Sequence, residues 1–220
     1  MGEKRITIFS GHYGSGKTNI AITHALTLKE KFEKVTICDI DIVNPYFRTK
    51  DSEEYLATKG VKLICSPYAN SNLDIPALPQ EIYSVTDDKS VHFVLDVGGD
   101  ERGALALGRI APAIKEENDY DMFFVINKYR PLTTDIEGAL EVFNEIEWAC
   151  GLKFTGVINN SNLGKESSAE TLLSTIDFAK EFAKTVNLPF LYSTASKEVY
   201  EQLKNSGEDV RPIRIQKANT

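Results

Sequence analysis

Eight residues near the start of the chain, Gly11-His12-Tyr13-Gly14-Ser15-Gly16-Lys17-Thr18, have the spacing G-x-x-x-x-G-K-[ST] of a phosphate-binding loop. The chemistry this implies is capture of a polyphosphate. Gly11 and Gly16 admit backbone angles that side chains resist. The bared amides of Gly14, Ser15, Gly16, Lys17, Thr18 and Asn19 are then expected to line an anion nest at the start of a helix. Lys17 is expected to reach the β- and γ-phosphates, and the Thr18 hydroxyl to ligate Mg²⁺.

Three carboxylates extend this chemistry. Asp96 follows the apolar run His92-Phe93-Val94-Leu95 and precedes Val97-Gly98-Gly99-Asp100. An acid at the end of a buried strand can hold Mg²⁺ directly or through water. The glycines behind it suit a loop that approaches a γ-phosphate and switches between nucleotide states. Asp39 and Asp41 end an earlier apolar run and, two apart on an extended strand, face one side. Lys17 and Mg²⁺ would offset their repulsion, one acid serving the metal shell and the other orienting the attacking water. Alone, either acidic stretch also reads as a solvated strand end before a turn.

The elements that must position these groups alternate along the chain. Apolar, β-rich runs fall at 5–10, 34–39, 61–65, 91–96, 121–127, 154–159 and 189–193, and helical patterns at 17–32, 51–59, 78–87, 101–117, 133–149, 167–187 and 197–204. Alternation of this kind predicts an α/β fold: a single domain with a mostly parallel central sheet of about seven strands and helices on both faces, a three-layer, Rossmann-like P-loop NTPase arrangement. Residues 1–205 are expected to form this domain. Residues 206–220 are expected to be a polar tail, either an extended edge or frayed. Ser66 to Pro79, with three prolines, is the longest irregular stretch.

Composition narrows the setting. With 220 residues, 42% hydrophobic and 26% charged, the chain can bury a substantial core. A net charge of −7 argues against a broad nucleic-acid surface. No apolar run approaches a membrane span, and Met1-Gly2-Glu3-Lys4-Arg5 leads straight into the first strand without room for a signal peptide. Cys38, Cys65 and Cys150 are isolated, with neither a CxxC nor a Cys/His cluster, and read as structural residues in a reducing cytoplasm.

The loop at 11–18, Asp39-x-Asp41 and Asp96-x-Gly-Gly together resemble the deviant-Walker, SIMIBI-class P-loop ATPases: the MinD and ParA partition ATPases, the Mrp-type scaffolds and the nitrogenase iron protein. The resemblance runs from residue 5 to about 193. It implies that Asp41 positions water, that Asp39 and Thr18 lie near Mg²⁺, and that 41–48 forms the first switch. In Gly156-Val157-Ile158-Asn159-Asn160 it implies that Asn160 is the first candidate for an adenine contact and Asn159 the second. The chain also departs from the family. The signature lysine after the first glycine is His12 here, a shorter and mostly neutral group. Arg48 or Arg102 could supply a cation instead. Gly103 stands where the iron protein has a cluster-binding cysteine, and neither the Mrp-type C-terminal CxxC nor a MinD-like basic amphipathic C-terminal helix is present.

The run Ile126-Asn127-Lys128-Tyr129-Arg130 begins like the guanine-reading N-K-x-D, but Arg130 offers only donors where an acceptor is needed. This tilts the expectation toward ATP, or toward loose base selection; Asn127 and Arg130 could still line the nucleotide or a partner site. The reading is a cytoplasmic, Mg²⁺-dependent ATPase with slow intrinsic turnover, whose ATP and ADP states act on an unknown protein partner. A homodimer is compatible with this; nucleic acid and a membrane anchor are not expected. The rivals are a metallochaperone-type GTPase, a small-molecule kinase with Tyr46, Arg48 or Tyr68 in its acceptor pocket, and a nucleotide-dependent binding module with negligible turnover.

Overall fold

The computed structural model describes residues 3–41, 53–65, 80–99 and 101–214, the side chains of Glu101, Arg102 and Lys165 excepted. The strands are β1 (Ile6–Ser10), β2 (Val35–Ile40), β3 (Lys62–Cys65), β4 (His92–Val97), β5 (Tyr120–Ile126), β6 (Gly156–Asn159), β7 (Phe190–Ala195) and β8 (Val210–Pro212). The helices are α1 (Lys17–Lys29), α2 (Glu53–Thr58), α3 (Ser84–Asp87), α4 (Glu101–Gly108), α5 (Ala111–Glu117), α6 (Ile136–Cys150), α7 (Ala169–Thr185) and α8 (Lys197–Leu203). The strands form one eight-stranded sheet in the order β3-β2-β4-β1-β5-β6-β7-β8, and every neighbouring pair is parallel.

Strand periodicity sorts the core into layers. Phe9, Ile37, Val94, Val125 and Ile158 pack with Ile20, Ala21 and Leu28 of α1 and Leu56 of α2. Their sequence neighbours Ile8, Cys38, Leu95, Phe124 and Val157 turn to the opposite face and meet α4 to α7. There Phe124 sits within 5.4 Å of the rings of Phe143, Phe154 and Phe182. Truncating such a ring to alanine costs about 3–5 kcal/mol. Cys38 and Cys150 are buried, and burial pushes the Cys38 thiol upward.

The architecture agrees with the expectation, and three local differences have physical causes. The helix expected over 101–117 is two helices, because the ring of Pro112 cannot follow the carbonyl of Gly108 inside one continuous helix. The helix expected over 78–87 is described from residue 80, as a 3₁₀ turn, Gln80–Tyr83, followed by the single turn α3. The eighth strand comes from the polar segment after residue 205, where Ser193 to Ala195 pair with Val210 to Pro212. Three residues are too short a run to signal a strand by alternation. The stretch 66–79 and residues 42–48 lie outside the described residues. No helix among those described is long and apolar enough to cross a membrane.

Candidate functional site

The loop from Gly11 to Gly16 turns the chain from β1 into α1 over the carboxyl ends of the strands. Gly11, at φ 148°, passes so close to β5 that a Cβ there would run into the Val125 carbonyl. Ser15 N–H donates to the His12 carbonyl at 3.1 Å, closing the turn. The same carbonyl accepts from Lys17 Nζ at 3.2 Å, so the buried ammonium folds back along the loop. Gly16 caps α1 in the left-handed conformation without a side-chain hydrogen bond, and the first turn carries no acid. A glycine at this position has no side chain with which to cap the helix, and a helix start of this kind suits an anion. Among the described residues Ser15 Oγ and His12 Nδ1 are buried polar atoms without a hydrogen-bond partner, and a phosphate oxygen offers acceptors of the kind a hydroxyl requires. Burial, and then the Lys17 charge, hold the His12 imidazole below its ordinary pKa, so it is neutral near pH 7.

A cavity of about 780 Å³ opens over this loop. Its wall includes Gly14, Gly16, Lys17, Thr18, Asn19 and Asp41, and it continues past Arg130 and Asn160 to α8. Asp39 and Asp96 do not line it. They are buried at adjacent strand ends, as register partners across β2 and β4. Asp39 Oδ1 accepts from the Asp41 backbone N–H at 3.0 Å, and the Asp41 side chain lies over Gly98, where a Cβ would stand 3.2 Å from Asp41 Oδ1. Among the described residues no group of three or more His, Cys, Asp or Glu side chains gathers as a metal cage. Mg²⁺ usually takes one or two carboxylates plus phosphate oxygens and water. The donor set Thr18, Asp39 and Asp96 fits this hard cation.

Gly103 packs against the loop after β4. A Cβ on it would stand 2.6 Å from Gly98 Cα and 2.7 Å from Gly98 N. Any side chain at this position would require the loop after β4 to shift. Arg48 lies outside the described residues, as do Tyr46 and Tyr68, and the side chain of Arg102 is not described.

On the other flank Asn159 and Asn160 separate. Asn159 is fully buried, donating to Thr175 and Ser193 and accepting from Ser161. Its amide belongs to the frame. Asn160 donates from Nδ2 to the Ser15 carbonyl and accepts at Oδ1 from Thr194 Oγ1, each at 2.5 Å, while lining the cavity. Lys128 turns away from the site, 5.0 Å above the Phe178 ring, whereas Arg130 Nε donates to the Gly14 carbonyl at 2.8 Å. Sequence reasoning missed Arg130 as a loop contact, Thr194 as the partner of Asn160, and Ser196 to Gln202 as cavity wall. The available signal was position: each follows or ends a strand on the side where a parallel sheet binds ligands. Glu198, in the first turn of α8, is held below the usual carboxylate range by its own backbone N–H and the Ser196 hydroxyl.

Sheet and loop together define a P-loop nucleotide-binding fold. The sequence profile of the CobQ/CobB/MinD/ParA nucleotide binding domain matches residues 6–173, and the chain belongs to this family. Comparison with curated proteins finds no match. Among solved structures the chain is similar to FtsY from Mycoplasma mycoides, with 18% identity and a TM-score of 0.56 over 88% of this chain and 60% of that one. It is also similar to the cell division protein FtsY from Thermotoga maritima, with 16% identity and a TM-score of 0.58 over 97% and 67%. A third is the signal recognition particle receptor FtsY from Elizabethkingia anophelis in complex with GDP, with 14% identity and a TM-score of 0.56 over 89% and 58%. At these identities the likeness is one of fold, and the chain spans about 60% of the length of most of these proteins.

Proposed function

We propose that the chain is a Mg²⁺-dependent nucleoside triphosphatase, taking ATP, whose two nucleotide states are read by a protein partner. The observation that carries this reading is the glycine-capped start of α1 beneath a cavity walled by Lys17, Thr18 and Asp41 at one end and Asn160 at the other. Lys17 and the loop amides stabilise charge on the transferring phosphoryl group, and Asp41 orients the attacking water. Thr18, Asp39 and Asp96 would hold Mg²⁺, which when bound would offset the negative charge of the phosphates. Asn160 fixes the loop from the nucleoside side. ATP is favoured over GTP because the run Asn127-Lys128-Tyr129-Arg130 has no acid at its fourth position to accept from the guanine N1–H and amine.

A second reading, GTP, is supported by the GDP bound to one FtsY neighbour and by the carboxylate of Glu198 in the cavity wall. Equilibrium titration with ATP and GTP, each with Mg²⁺, decides between them. Product analysis tests hydrolysis itself, since release of inorganic phosphate without a phosphorylated metabolite excludes a kinase. Unchanged ATP affinity and turnover in Lys17→Ala would overturn the entire reading.

A further inference from the structure

The order of strands divides the cavity. Asp39, Asp41, Asp96 and Gly98 belong to β2, β4 and their ends, on one side of β1. Arg130, Asn160 and Thr194 follow or end β5, β6 and β7, on the other. A nucleotide whose phosphates occupy the loop after β1 and whose γ-end faces the carboxylates must lay its nucleoside over the second side. Arg130 stands at the entrance to that half. Beyond it the wall mixes the apolar Leu172, Ala195 and Val199 with the polar Ser168, Ser196 and Glu198.

The guanidinium of Arg130 is anchored to the loop. A Cβ on Gly14 would meet Arg130 Nε at 2.9 Å, Cζ at 3.0 Å and Cδ at 3.4 Å, so the group lies along the glycine. Its Nε donates to the Gly14 carbonyl at 2.8 Å. The Nε–H bond lies in the guanidinium plane, so this contact presents an edge of the group to the loop. The glycine itself lies against one face, at the distances just given, so the opposite face is the one left for a neighbour that stacks. Among the described residues of the cavity wall, Arg130 and Lys17 are the two cations, and Lys17 bonds back to the His12 carbonyl.

We propose that Arg130 is the platform on which the nucleobase stacks, held flat by the Gly14 carbonyl, so that this chain grips the base by its face. The inference rests on the nucleotide reading above and names how that site takes its substrate. A stacked guanidinium attracts any purine π-system and reads none of its edge donors or acceptors. The contribution of Arg130 is therefore the same for ATP and GTP and zero for a polyphosphate without a base.

The test compares wild type with Arg130→Ala and Arg130→Lys by titration with ATP, GTP and inorganic tripolyphosphate, all with Mg²⁺. Lysine keeps a donor for the Gly14 carbonyl and loses the plane, which separates a platform from a loop brace. Both variants are expected to lose affinity for ATP and GTP by the same factor, about tenfold, with tripolyphosphate affinity unchanged. An equal loss for tripolyphosphate, a lysine variant equal to wild type, or unchanged ATP affinity in both variants would overturn the proposal. Lys17→Ala is the companion measurement. Loss of all three ligands there, with ATP unaffected in the Arg130 variants, overturns the platform and leaves the nucleotide reading standing; retention of all three overturns both.

Discussion

The side-chain amide of Asn160 holds the Ser15 carbonyl at 2.5 Å, across 145 residues of chain. Both ends of the amide are engaged, since Thr194 donates to its Oδ1. Asn160 thus belongs to the loop's scaffold whether or not it also touches a base. Replacing it with alanine leaves a carbonyl and a hydroxyl without these partners, at a cost of about 2 kcal/mol or more. Urea unfolding of Asn160→Ala without nucleotide is expected to register that loss. Wild-type stability in the variant would mean that the amide serves a ligand alone.

Gly103 is fixed by the backbone of Gly98. Adding one methyl there forces two chain segments apart, and overpacking of this kind costs about 1–3 kcal/mol. Because Gly98 lies beneath Asp41, the displacement also reaches the proposed water-orienting acid. Gly103→Ala is expected to lower both the unfolding midpoint and kcat, with ATP affinity little changed. A kcat equal to wild type would detach α4 from the reaction.

Asp96 tests the metal. Asp96→Asn keeps the volume and removes the charge beside Asp39. The Mg²⁺ concentration giving half-maximal phosphate release is expected to rise about tenfold or more. Nucleotide binding measured in EDTA is expected to be unaffected, and a parallel loss there would make Asp96 a structural group.

His24 gives stability a pH dependence of known sign. Its Nε2 meets Thr7 Oγ1 at 3.2 Å, and its ring packs edge-on against Phe9. Burial lowers its pKa from 6.5 to about 4 in the folded chain. Between those values the unfolded chain binds a proton that the folded one refuses, so stability is full above pH 6.5 and falls as pH drops toward 4. At pH 5 the loss from this one group is about 2 kcal/mol. His24→Gln is expected to flatten the pH dependence of urea unfolding between pH 7 and 5 by that amount. An unaltered slope would assign it to other groups.

Much of the fold could be read from local signals. Runs such as Met122-Phe123-Phe124-Val125-Ile126 are apolar on both faces because helices cover both sides of a parallel strand. The loop was legible because phosphate binding constrains glycine, lysine and hydroxyl at fixed spacing. The partners of those residues were not. Arg130 and Gly14 are far apart in sequence, and neither composition nor periodicity marks such a contact. Asn160 was read as a base contact, and only the strand order places its amide beside Ser15. The break at Pro112 was visible as a residue type but was outweighed by the helical pattern around it.

The position of β1 has a consequence for how the protein is made. β1 is central, with β4 on one side and β5 on the other. The ribosome releases the phosphate loop early, yet the strand that carries it gains both neighbours only after Ile126 has been synthesised, and its brace arrives later still with Asn160. At cellular elongation rates that interval is roughly ten seconds. Throughout it a glycine-rich loop and an apolar strand leave the ribosome without their sheet. Nucleotide can therefore stabilise this half of the sheet only after Asn160 has followed the loop out of the ribosome.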